Sequence, residues 1–131
     1  MKGYKIDLRA YDIRTDEIYK NRGKDEQFKY DPKEVIPNIM LSPFQNNSGF
    51  RFVTIGDLAK KIKNCKDDYI ILDTPDYEII KISFDKYESK LQDGSKIGFG
   101  KNDYVMVSRI FRPEEIELEE KKIKKEKKKN G

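Results

Sequence analysis

The chain has no histidine, no tryptophan and a single cysteine among its 131 residues. Without histidine, no side chain has an unperturbed pKa near neutrality, so the usual general acid–base residue is missing. Ser-His-Asp and Cys-His nucleophile systems cannot be assembled from this chain alone. One cysteine and no histidine exclude the common zinc sites, which need four ligands or three plus water. Cys65 offers no disulfide framework and points to a reducing compartment. The N-terminal Met1-Lys2-Gly3-Tyr4-Lys5-Ile6-Asp7 lacks the apolar run of a signal peptide. The longest apolar run in the body is Ile70-Ile71-Leu72, against the ~20 residues needed to span a bilayer. These features lead us to expect a cytoplasmic protein with no membrane partner.

What the chain has in excess is charge. Asp, Glu, Lys and Arg make up 40% of it, against roughly a quarter in ordinary globular chains. The net charge is +4, but residues 121–131 alone carry +6 through Lys121, Lys122, Lys124, Lys125, Lys127, Lys128 and Lys129 against Glu126. Subtracting that from the total leaves −2 for residues 1–120. We therefore expect a slightly acidic α+β domain over 1–120 and a disordered lysine-rich tail over 121–131. Such a run can hold phosphates by counterion release without reading sequence, which makes these lysines candidate nucleic-acid tethers.

Along the body, Tyr4, Ile6, Leu8 and Ala10 alternate with Lys5, Asp7 and Arg9, the period of a half-buried strand that runs to Arg14. Asn21-Arg22-Gly23 is a turn signal, and Gln27 to Tyr30 returns as an antiparallel partner. Asp31-Pro32-Lys33-Glu34 opens a helix with Asp at N-cap and Pro at N1. Pro37 then predicts either a kink or a break into two short turns. Leu41 to Phe50 reads as a loop. A second helix is expected from Thr54, with Asp57 as capping-box partner, Val53 and Leu58 as a staple, and Ile55, Leu58, Ala59 and Ile62 as its apolar face.

Tyr69 to Asp73 reads as a strand buried on both faces. Thr74-Pro75 starts a third helix whose Tyr77, Ile80, Phe84, Tyr87 and Leu91 carry it to Asp93-Gly94. Asn102 caps a fourth helix that reaches about Phe111 and stops at Pro113. Glu114 to Glu120 fits a late strand or an extended arm. The expected fold is α+β: a small antiparallel sheet with an N-terminal β-hairpin, packed by three to four short helices.

Few residues assemble into a recognisable chemistry. Gly98-Phe99-Gly100-Lys101 lacks the frame and the following Ser or Thr of a phosphate loop. Asp67/Asp68 and Asp73/Asp76 supply pairs where a hard cation needs several converging oxygens. No catalytic, cofactor or metal residue is assigned. The aromatics favour packing; Tyr11 with Arg9, placed on the outward face of the first strand, is the one local hint of a base-stacking platform. Arg109 and Arg112 end a helix, where they complement its dipole or join Lys101 and Asn102 in an anion or partner site.

Leu58-Ala59-Lys60-Lys61-Ile62, the segment Asp68 to Phe84, and Gly100-Lys101-Asn102-Asp103 to Ile110 resemble small uncharacterised proteins encoded by phages and prophages of Gram-positive bacteria. Lys, Ile and Asn total 45 of 131 residues, the usage of an AT-rich genome. The resemblance implies no catalytic residues. It implies a phage accessory role, in virion assembly or inhibition of host defence. We thus expect a non-enzymatic binding protein with a protein partner, and homo-oligomers through sheet edges. The alternatives are a nucleic-acid-associated protein acting through its tail, and a small-ligand sequestering protein.

Overall fold

The computed structural model describes residues 1–20, 26–45, 47–87, 89–90, 93 and 96–118. Its main sheet has the chain's first strand at the centre. β1 (Lys2–Asp7) lies between β4 (Tyr69–Asp73) and β7 (Glu114–Glu117), antiparallel to both. Tyr4 stands opposite Leu72, and Ile6 opposite Ile70. Ile6, Leu8, Ile70 and Leu72 are buried on one face of this sheet, where the helices pack. The Tyr4 ring stacks on Tyr77 with centroids 4.1 Å apart. The class is α+β, as the alternation predicts.

The expected first strand divides after Asp7. The Arg9 amide and guanidinium both return to the Asp7 carboxylate, which turns the chain out of the sheet. β2 (Tyr11–Asp12) then pairs with β3 (Lys29–Tyr30), so only the end of the predicted strand forms the expected hairpin. Tyr11 is fully buried rather than outward, because its ring stacks on Tyr30. It cannot serve as a stacking platform for bases.

α1 (Pro32–Met40) is capped by the Asp31 carboxylate, which accepts from the Lys33 amide at 3.1 Å. It runs through Pro37 without breaking, because a proline there removes only one backbone donor from a helix anchored by buried Ile36, Ile39 and Met40. α2 (Gly49–Lys63) begins five residues before the expected Thr54. The Thr54 hydroxyl donates back to the Phe50 carbonyl at 3.2 Å instead of capping. Val53 is exposed and forms no staple, while Ile55, Leu58, Ala59 and Ile62 are buried as their spacing requires.

β4 is not buried on both faces. Ile70 and Leu72 point into the core, and Tyr69 and Ile71 stand on the open face. α3 (Thr74–Lys86) takes Asp73 as its N-cap, one residue earlier than predicted, with Asp73 Oδ1 accepting from the Asp76 amide. It ends at Lys86, not at Asp93-Gly94. Tyr87 is extended and packs on Phe99 at 4.9 Å, and the hairpin of β5 (Ser89–Lys90) and β6 (Lys96–Ile97) follows. The predicted role of Leu91 lies outside the described residues.

α4 (Tyr104–Phe111) is preceded by a single 3-10 turn, Lys101–Asp103. In that turn Asp103, rather than Asn102, accepts from the Gly100 amide. Beyond Pro113 the chain becomes β7, the strand among the two expected alternatives. Among the described residues no helix is long and apolar enough to cross a membrane.

Candidate functional site

The open face of the sheet ends in a cleft of about 640 Å³. Three strands build its floor: Lys5 and Asp7 from β1, Tyr69 from β4 and Glu114 from β7. The last turn of α4 supplies Arg109, and the connecting segments supply Arg9, Asp67, Asp68, Arg112 and Pro113. Strand alternation explains the floor, since Lys5 and Asp7 fall opposite in phase to Tyr4 and Ile6.

Most of these charges satisfy one another. Arg9 grips Asp7 with Nε at 3.0 Å from Oδ1 and Nη2 at 2.7 Å from Oδ2. Burial raises the Asp7 carboxyl, but the Arg9 bonds and the Arg109 charge outweigh it and hold the carboxyl below its ordinary value. The same contacts raise Arg9. Lys5 Nζ sits 4.4 Å from the Tyr69 ring centre and 3.8 Å from Glu114. Arg109 is nearly covered, with 14% of its side chain exposed. Its Nη1 donates to the Arg9 carbonyl at 2.7 Å and the Asp7 carbonyl at 3.3 Å, and burial lowers its pKa.

Arg109 therefore fastens α4 to the end of β1 from the last turn of that helix, the position expected of a dipole partner. With its guanidinium held by the Asp7 and Arg9 carbonyls it is not a free anion ligand, which corrects that expectation. Arg112 differs. It is exposed and forms no salt bridge among the described residues, and the same is true of Asp67 and Asp68. These three are the cleft's available charges.

Lys101 and Asn102 lie elsewhere, in a second cleft of about 570 Å³ with Ile13, Arg14, Asp16 and Phe28. The predicted group of four is thus split into two pairs. Tyr11 stands between them. Its hydroxyl donates to the Asn102 carbonyl at 2.7 Å, and the Arg109 guanidinium lies 5.3 Å from its ring centre. Burial pushes this hydroxyl up to about 12. The neighbouring Tyr30 hydroxyl is raised too, first by burial and then by its short bond to the Asp103 carboxylate.

One motif was present in the sequence and went unread. Asp7-Leu8-Arg9 recurs as Asp12-Ile13-Arg14, and both form the same carboxylate–guanidinium fork; in the second, Arg14 also covers the Phe28 ring at 3.9 Å. Among the described residues no three His, Cys, Asp or Glu side chains converge to hold a metal ion, so the aspartate pairs remain pairs. No family model, curated protein or solved structure matches this chain. The tail lysines from Lys121 to Lys129 lie outside the described residues.

Proposed function

We propose that this is a non-enzymatic binding protein that seats a segment of a protein partner on its open sheet face and in the cleft at the end of that face. The observation that carries this reading is the composition of the surface. Exposed Tyr69 shares the cleft with Arg112, Asp67 and Asp68, none of which forms a salt bridge among the described residues, and exposed Ile71 lies two residues along β4 on the same open face. Aromatic, aliphatic and Arg side chains are the usual anchors of protein interfaces, and a mixed-sign rim gives register.

The cleft residues comprise four cations and four anions. A groove that tracks a nucleic-acid backbone needs an excess of positive charge instead. The nucleic-acid alternative therefore rests on the lysine tail alone. A sequestered small ligand is usually enclosed over ~70–90% of its surface, which an open charged cleft favours less. The resemblance to phage proteins supplies the setting of the proposal: virion assembly or inhibition of a host defence factor, in the host cytosol.

The test is capture from host lysate by the full chain, compared with Arg112→Glu and with a chain whose seven tail lysines are serine. A captured protein whose binding falls at least ~10-fold with Arg112→Glu, and is unchanged with the serine tail, supports the proposal. Loss only in the serine-tail chain, together with loss of a steeply salt-dependent DNA shift, rejects it in favour of the tether.

A further inference from the structure

The two edges of the main sheet are built differently. The Leu8 amide donates to the Asp68 carbonyl at 2.8 Å, continuing the β1–β4 register. Antiparallel alternation then directs the backbone groups of Tyr69, Ile71 and Asp73 away from β1. The Tyr69 carbonyl receives the Cys65 thiol at 3.4 Å, while the outward amide and carbonyl of Ile71 have no partner among the described residues. On the other side, the Leu118 amide donates to the Met1 carbonyl at 2.9 Å, so Glu115 and Glu117 direct their backbone groups outward from β7.

We propose that two copies of this chain pair through β4, antiparallel about a two-fold axis at Ile71, and so join two three-stranded sheets into one. Self-pairing suits this edge because of its register. An axis at Ile71 sets Ile71 against itself and Tyr69 against the second copy's Asp73, and the run Tyr69-Ile70-Ile71-Leu72 carries no charge to repel its copy. The same operation on β7 would juxtapose glutamates, and inserted charges of this kind are how proteins block edge pairing. The axis stands perpendicular to the joined sheet, which keeps both open faces on one side. Four residues of strand then separate one Tyr69 from the other, about 14 Å at ~3.4 Å per residue. Each Tyr69 lines its own cleft, so the dimer presents two clefts side by side. The kind of partner that fits is itself paired or long enough to reach both.

An edge contact of this length is smaller than the ~1,600 Å² of a standard interface, so we expect a Kd on the order of 10 µM. Sedimentation velocity on the full chain from ~1 to ~200 µM is expected to show a shift towards twice the 15.5 kDa chain mass. Ile71→Lys should weaken the association at least ~10-fold, while Glu115→Gln leaves it unchanged. In a Cys65→Ser background, Ile71→Cys should give a covalent dimer on mild oxidation, because hydrogen-bonded antiparallel pairs place Cα atoms ~5.5 Å apart, within disulfide reach. Phe50→Cys in the same background serves as the exposed control.

A wild-type monomer throughout that range overturns the proposal. So does a dimer indifferent to Ile71→Lys, a larger open-ended species, or cross-linking that is no faster at position 71 than at position 50. Should the lysine variant unfold, the cysteine pair still decides the question. Lysate capture is read separately, so partner binding and self-pairing can fail independently.

Discussion

β4 and β7 flank the same strand and are secured to it by different forces. β4 is held by Ile70 and Leu72, which are buried under the helices. β7 is held by Lys2–Glu115 at 3.4 Å, Lys5–Glu114 at 3.8 Å and the amino terminus to Glu117 at 3.8 Å, all with well-exposed partners. Exposed ion pairs contribute about 0–1 kcal/mol each and weaken with salt. A buried leucine side chain contributes ~1.5–3 kcal/mol. The lesson is a division of labour: one flank stabilises the sheet, while the other closes an edge to unwanted pairing.

The sharpest way to break this contrast is Leu72→Ala, expected to cost about 2–5 kcal/mol through lost transfer energy and the cavity left behind. Urea unfolding checks it, and a loss below ~1 kcal/mol would remove the asymmetry. Gly3→Ala acts on the opposite flank. A Cβ there would lie 2.6 Å from Leu118 Cγ, so the Leu118 side chain, just beyond the end of β7, must shift. We expect about 1 kcal/mol, with amide exchange accelerating in residues 114–117 and unchanged in residues 69–73. Equal acceleration in both strands would show that β7 is not independently loose.

The smallest effect concerns acid. The folded Asp7 carboxyl titrates below its ordinary 3.8. Its stabilisation is therefore complete above that value and is lost as pH falls through the lower folded value. With 31% of the side chain exposed, screening keeps the contribution under ~1 kcal/mol. Melting temperatures should fall as pH drops through and below 3.8, and less steeply in Asp7→Asn. An identical fall in both proteins would place the acid sensitivity elsewhere.

Patterns that depend on burial were readable from the sequence. Ile55, Leu58, Ala59 and Ile62, and likewise Tyr77, Ile80 and Phe84, occupy the faces their spacing requires, because the 3.6-residue period decides which side chains meet the core. Element ends were less legible. Ser48 is the N-cap of α2, a residue type favoured there, but its side chain makes no capping bond and Gly49 and Phe50 carry no helical signal. Thr74 looked like a cap, and the adjacent Asp73 serves instead. Several side chains compete for such ends at energies of about 1 kcal/mol.

The site was half legible. Arg109 and Arg112 do share one cleft, because four residues of chain keep them together. Lys101 and Asn102 do not join them, since buried Tyr11, 91 positions from Asn102, holds that turn apart. A long-range bond of this kind leaves no local trace. The tandem Asp-x-Arg forks did leave one, in five-residue repetition.

The start of α2 has a consequence for the protein's behaviour in solution. Phe50, Phe52 and Val53 project into water, with Phe50 87% exposed. Wetting one such ring forgoes ~1.5–3 kcal/mol of transfer energy, which folding leaves unclaimed at this helix tip. Dispersal of the molecules must then rest on the dense shell of lysine, aspartate and glutamate around it.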